Sequence, residues 1–148
     1  AGSLCPVELM KQVEEKMYMK VTSVYGLTET APGMTATRID DSFDVRCNTV
    51  GRDFEFTEVK VIDPETGEEC PVGVQGEMCN RGYNTMKGYY KNPEATAEVL
   101  DRNNFLHSGD LGINERLLQN GGSHPPGDRQ RWLAALWRPC NCGRKRVL

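Results

Sequence analysis

Histidine and paired cysteine are what this chain of 148 residues lacks most. It has two histidines, His107 and His124, and six cysteines, Cys5, Cys47, Cys70, Cys79, Cys140 and Cys142, with no CxxC step among them. Structural zinc modules are built on such pairs, so they are excluded, and Cys140-Asn141-Cys142 stands without a histidine close by in sequence. The irregular spacing offers no disulfide framework either, and reduced thiols in a cytoplasmic setting are expected. No apolar run approaches the ~20 residues of a membrane-spanning helix, and no segment has the basic, apolar and small-residue order of a signal peptide.

Positive charge is scarce over most of the chain. Residues 1–112 hold 11 basic and 19 acidic side chains, net −8, whereas residues 113–148 hold 7 and 2, net +5. An acidic body excludes a phosphate-neutralising surface, which needs clustered Lys and Arg, so no nucleic-acid partner is expected for it. Only the basic tail, which also carries both tryptophans, Trp132 and Trp137, could serve as one. The length suits one domain. A first residue of Ala1 rather than Met leads us to expect a fragment or a processed product.

What is present concentrates in two short stretches. Tyr25-Gly26-Leu27-Thr28-Glu29-Thr30-Ala31-Pro32-Gly33 sets an aromatic face, a permissive glycine, hydroxyls and a carboxylate close together. Tyr25 can stack on a purine, and Gly26 allows close backbone approach. Thr28 can donate to a phosphate oxygen, and Glu29 is a hard oxygen donor of the kind Mg²⁺ takes. In His107-Ser108-Gly109-Asp110 the carboxylate could accept from both hydroxyls of a ribose cis-diol. The same residues also make ordinary turns and helix caps, and either stretch alone would not decide between the two uses.

Around them the pattern is mixed. Residues 6–17 read as a helix with Pro6 in its first turn and Leu9, Met10, Val13 and Met17 on one stripe. Residues 21–25 read as a strand, and 31–47 as loop and short strand. Phe54, Phe56, Val59 and Val61 alternate with polar residues as in a half-buried strand, with a change of face near Glu58. Asp63-Pro64-Glu65-Thr66-Gly67 predicts a turn that folds the next strand back, residues 76–80 with Met78 inward. Tyr83, Tyr89 and Tyr90 are expected in the core. Asn92-Pro93-Glu94 opens a short helix, and Phe105-Leu106 leads as a strand into the His107 loop, where His107 itself could meet substrate or serve as scaffold.

Taken in order, these stretches resemble the adenylate-forming, or AMP-binding, superfamily, and its acyl-CoA ligase branch in particular. Ala1-Gly2-Ser3-Leu4 is similar to the small-residue loop against the adenine, and 25–29 to the adenine, phosphate and magnesium motif. Gly76-Glu77-Met78, Arg81-Gly82-Tyr83 and Met86-Lys87-Gly88-Tyr89 resemble the Gly-Glu-Leu and Gly-Tyr signature, and 107–110 resembles the ribose motif with Ser108 in place of threonine. The resemblance implies an α+β fold: the C-terminal part of the large AMP-binding domain, with an α/β remnant over 1–50 and a β-rich, distorted barrel-like subdomain over 51–112. It implies ATP or AMP held by Gly2, Ser3, Tyr25, Gly26, Leu27, Thr28 and Asp110, Mg²⁺ on Glu29, and coenzyme A and a carboxylic or fatty acid as co-substrates. The family's lysine-ending phosphate loop and its catalytic lysine have no counterpart here, so little ligase activity is expected of this chain alone.

After Gly112 the resemblance stops. Codons allowed for 114–124, read one base later, permit a Gly-Tyr-Tyr and Gly-Arg-Ile run of the family kind, so a frameshifted, disordered tail over 113–148 is expected. The alternatives are an adenylation domain that loads a carrier protein and a non-enzymatic module that binds through its basic tail.

Overall fold

Proline at residue 6 supplies a first-turn position without an N–H to satisfy, and the chain enters helix α1, Val7–Met17, in the computed structural model, which describes residues 5–115 and 132–139. Tyr18, at φ 55°, ends the helix in the left-handed region. Of the expected apolar stripe only Met10 is buried, and Leu9 and Met17 are about half exposed, at 51% and 57%. The stripe is real as a sequence pattern, but within the described residues α1 packs on little besides α2, Phe43–Asn48.

That second helix falls where loop was expected. Six residues are too few to show a helical period, yet its start was written in the sequence: Ser42 Oγ accepts from the Val45 N–H at 3.3 Å. Its buried Arg46 draws α1 and the incoming chain together. The guanidinium pairs with Glu14, donates to the Val21 carbonyl at 2.7 Å and, through Nε, to the Asp41 carbonyl at 3.1 Å. The bond from Arg46, and then that from the Val21 N–H, hold the Glu14 carboxyl down at about 2 against an ordinary 4.5. A depressed carboxyl stabilises the fold above its unfolded value and loses that contribution as pH falls towards its folded value. Thermal stability should therefore drop between pH 4.5 and about 2. In Glu14→Gln, melted over the same range, that part of the acid limb should be missing; an unchanged limb refutes the coupling.

Two antiparallel sheets follow. The first has the order β1-β2-β3, formed by Val24–Tyr25, Thr35–Ala36 and Arg52–Asp53. Phe54 and Phe56 do not continue a strand as expected. Phe56 takes φ 63° and is 91% exposed, and Thr57 caps the turn by donating N–H and Oγ1 to the Phe54 carbonyl. The second sheet has the order β4-β5-β6-β7, formed by Thr57–Ile62, Gln75–Gly82, Leu106–Glu115 and Trp132–Pro139. The Asp63 turn closes as predicted, with the Gly67 N–H on the Asp63 carbonyl at 2.8 Å, and β5 pairs back on β4 from Ile62↔Glu77 to Thr57↔Gly82. Val59, Val61 and Met78 face inward with Met34 and Cys70, and Tyr25 and Val50 pack against them. This mixed arrangement of small helices and antiparallel sheets is the α+β class expected.

Helix α3, Pro93–Val99, starts as read, with Asn92 accepting from the Ala95 N–H at 3.0 Å. The three tyrosines before it are not core: Tyr83 and Tyr90 are 74% and 87% exposed and Tyr89 is 38% exposed, because the segment from 83 to 92 runs over the surface as turns. Strand β6 continues to Glu115, past the end of the resemblance at 112, and β7 pairs with it through Gly112↔Ala135 and Ile113↔Ala134. The edge of β6 offers β7 its row of N–H and C=O groups whatever the side-chain pattern. Residues 116–131 and 140–148, with most of the segment used for the frameshift reading, lie outside the described residues. No helix among the described residues is long and apolar enough to cross a membrane.

Candidate functional site

The first stretch begins where β1 ends. Behind Tyr25 the chain turns so tightly that a Cβ at Gly26 would lie 1.8 Å from the Pro32 carbonyl oxygen. The loop is closed at its base by the Met34 N–H on the Tyr25 carbonyl at 2.8 Å. Inside it, Thr28–Thr30 forms one turn of 3-10 helix. Buried Thr30 holds that turn, its Oγ1 accepting from the Leu27 N–H and donating to the Leu27 carbonyl, each at 3.0 Å. Leu27 is thus committed to the loop through its backbone, and so is Thr30. Thr28 is exposed and Glu29 half-buried.

The second stretch lies on a break in the sheet. Between β5 and β6 the register passes from Cys79↔His107 to Glu77↔Leu111, so Met78 alone faces Ser108, Gly109 and Asp110. Such a bulge re-aims a side chain and interrupts the ladder. Gly109 takes φ +72°, a conformation glycine adopts without strain. Ser108 Oγ accepts from the Asp110 N–H at 3.1 Å. Asp110 is buried, and its Oδ2 accepts from the Tyr25 hydroxyl at 2.8 Å. Eighty-five residues apart in sequence, the two stretches meet in one hydrogen bond.

Two further contacts were not legible as site features. Tyr89, expected in the core, donates its hydroxyl to Glu29 Oε1 at 2.8 Å, while the Met86 N–H donates to the Glu29 carbonyl at 2.8 Å. Burial, and then the Glu29 carboxylate, push the Tyr89 phenol up to about 12. Asn84 donates to the Gly33 carbonyl at 2.7 Å, so the 83–90 segment brackets the first loop. Glu77 is the other: nearly fully buried, it accepts from the Gly109 N–H at 3.0 Å through Oε1, and its Oε2 lies 2.9 Å from His107 Nδ1. The signal was the one carboxylate in the strand, directly before the inward Met78. His107 is therefore tied to the scaffold through Nδ1. Glu77, Cys79 and His107 bring ligand-type atoms within 4.8 Å of one another, but the Glu77 oxygens and His107 Nδ1 already serve this hydrogen-bonded circuit. Cys47 and Cys70 are buried thiols whose pKa values burial raises, which suits inert core positions. Gly2 and Ser3 lie outside the described residues.

The sequence profile of AMP-binding enzymes matches residues 1–90, and the chain belongs to that family. Its relatives place it in the acyl-CoA ligase branch. It is 49% identical over 114 residues to YngI of Bacillus subtilis (strain 168), a provisionally named acyl-CoA synthetase, a match that covers 76% of this chain and 21% of YngI. It is 37% identical over 112 residues to the mitochondrial medium-chain acyl-CoA ligase ACSF2 of Rattus norvegicus, covering 75% of this chain and 18% of that one. Among solved structures it resembles the Bacillus subtilis o-succinylbenzoate coenzyme A synthetase MenE in complex with AMP, at a TM-score of 0.71 and 25% identity, over 92% of this chain and 24% of MenE. The chain thus spans about a fifth of the length of its curated relatives.

Proposed function

We propose that this chain carries an adenine-nucleotide half-site of an ATP-dependent acyl-CoA ligase. The observation that carries the reading is the Tyr25 to Asp110 hydrogen bond, which brings together a ring able to stack on a purine and a carboxylate able to accept from a diol. Support comes from relatives named as acyl-CoA ligases and from a structural neighbour solved with AMP. In this reading Tyr25 stacks on adenine, Asp110 accepts from the ribose hydroxyls, and Thr28, exposed at the loop tip, donates to the α-phosphate. Gly26 and Leu27 supply the tight backbone, and Gly2 and Ser3 are assigned to the adenine by the family resemblance alone.

The donor set at Glu29 fits Mg²⁺. Tyr89 fixes one carboxylate oxygen, and Oε2 has no protein partner among the described residues. When bound, Mg²⁺ would neutralise charge on the phosphates. In the parent reaction a carboxylic or fatty acid attacks the α-phosphorus, pyrophosphate leaves, and the thiol of coenzyme A then takes the acyl group from AMP. What these residues contribute is position and charge complementarity rather than a nucleophile or a base. None of the residues assigned here meets the acyl chain or the coenzyme A thiol, so turnover by the chain alone should be negligible.

Calorimetric titration of the chain with AMP and with MgATP tests this. Binding of AMP that weakens roughly 10-fold in Asp110→Asn, as expected for losing one bond to a charged group, supports the reading. ATP binding should lose its Mg²⁺ dependence in Glu29→Gln. No adenine-nucleotide binding, or binding indifferent to both substitutions, would sink it, and fatty-acid-dependent pyrophosphate release by the chain would show that it is more than a half-site.

A further inference from the structure

We infer that Glu77 is a positioning residue for the ribose loop: its carboxylate stands in for the ladder bonds that the β5–β6 bulge gives up, and so fixes where Asp110 points. This rests on the reading of Asp110 as the diol contact. Glu77 is only 4% exposed, and a buried carboxylate is costly unless both oxygens are satisfied. Here both are, by partners on either side of Ser108: the Gly109 N–H on Oε1 at 3.0 Å and His107 Nδ1 at 2.9 Å from Oε2. A bulge leaves backbone donors without strand partners, and a buried N–H must be paired by something. Met78 opposes Ser108, Gly109 and Asp110 across the break, and its backbone cannot pair them all. The Gly109 N–H therefore goes to a side chain.

The consequence passes directly to the next residue. Gly109 sits at φ +72° with nothing within 4 Å of a would-be Cβ, so packing does not hold its conformation. The Glu77 bond does so from the N-terminal side, fixing the Ser108–Gly109 peptide, while the Asp110 N–H on Ser108 Oγ at 3.1 Å fixes the next peptide, which leads into Asp110. On the far side, Asp110 Oδ2 is met by the Tyr25 hydroxyl at 2.8 Å. The carboxylate that would hold the ribose is thus oriented from behind by Glu77, through Gly109, and from in front by Tyr25. His107, whose Nδ1 faces Glu77, keeps that carboxylate from rotating away. Glu77 itself touches no ligand in this arrangement.

The test uses the full chain, labelled with ¹⁵N and ¹³C, as wild type, Glu77→Ala and Glu77→Gln, titrated with AMP and with 2′,3′-dideoxy-AMP. In Glu77→Ala the Gly109 amide should exchange at least 10-fold faster while the Val61 and Met78 amides keep their protection. AMP should bind roughly 10-fold more weakly, and the dideoxy nucleotide, which has no diol, should bind as before, so the preference between the two collapses. Glu77→Gln, whose amide oxygen can still accept from Gly109, should recover most of both effects. Equal losses for the two nucleotides, or an unchanged Gly109 exchange rate, would overturn the assignment. Should the alanine variant not fold, the wild type decides by itself: scalar coupling from the Gly109 ¹⁵N to the Glu77 carboxyl carbon is expected, and its absence overturns the inference. A wild type that binds neither nucleotide would remove the nucleotide reading, while the Gly109 coupling and exchange would still decide whether Glu77 holds the loop.

Discussion

Gly26→Ala is expected to lower the stability of the chain by about 3–4 kcal/mol, roughly 10–20 °C in Tm, and to abolish adenine-nucleotide binding. The reason is steric and local. A Cβ there would lie 1.8 Å from the Pro32 carbonyl oxygen and 2.8 Å from the Gly33 Cα. Both are backbone atoms, so no flexible side-chain end can move aside, and the loop must open. Opening it pulls on the Met34 to Tyr25 bond at its base and shifts the 3-10 turn that presents Thr28 and Glu29. Gly67→Ala is the matched control. Gly67 takes φ +74° but has nothing within 4 Å of its would-be Cβ, so its cost should be the ~1 kcal/mol of left-handed strain, with nucleotide binding unaffected. Equal melting temperatures for the two variants would show that the crowding at Gly26 is relieved in a way the fold does not indicate.

Arg46→Met should be the most damaging side-chain change outside the site. It keeps the volume and removes the donors that serve Glu14 and the Val21 and Asp41 carbonyls. A carboxylate and two carbonyls each lose a donor at once, with only the Val21 N–H left on Glu14, and breaking a pair with one buried member from one side costs more than removing both charges. We expect a fall in Tm on the order of 10 °C. Glu14→Gln/Arg46→Met should melt higher than the sum of the single changes allows, and strict additivity in that cycle would refute the coupling. Damage should also reach the loop from Gly26 to Gly33, because Ser23, one residue before β1, donates its hydroxyl to the Arg46 carbonyl at 2.7 Å.

Much of this was legible in the chain. The Asp63 turn, the inward Met78 and the Asn92 cap were written in residues whose preferences are local, and the structure agrees on each. Legibility failed where a residue's surroundings are set by distant chain. Leu9 and Met17 form a helical stripe, yet the described residues leave each about half exposed. Phe54 and Phe56 alternate like a strand, but the positive φ at Phe56 belongs to a turn. Tyr89 reads as an aromatic to be buried, and its use depends on Glu29, which lies 60 residues upstream. Glu77 reads as one letter of a signature. Its role appears only when the β5–β6 register slips and leaves the Gly109 N–H in need of a partner.

The 85-residue span of the Tyr25 to Asp110 bond also bears on how the chain comes into being. During synthesis the first loop can turn and cap itself as soon as Met34 has left the ribosome, since its closing bonds are local. Its counterpart cannot exist until β6 has emerged and found β5, a pairing that must first meet the entropy of closing a long loop. A nascent chain stalled before Asp110 would therefore display a formed loop and no working pair, and competence to hold a nucleotide would arrive late in translation, in a single step.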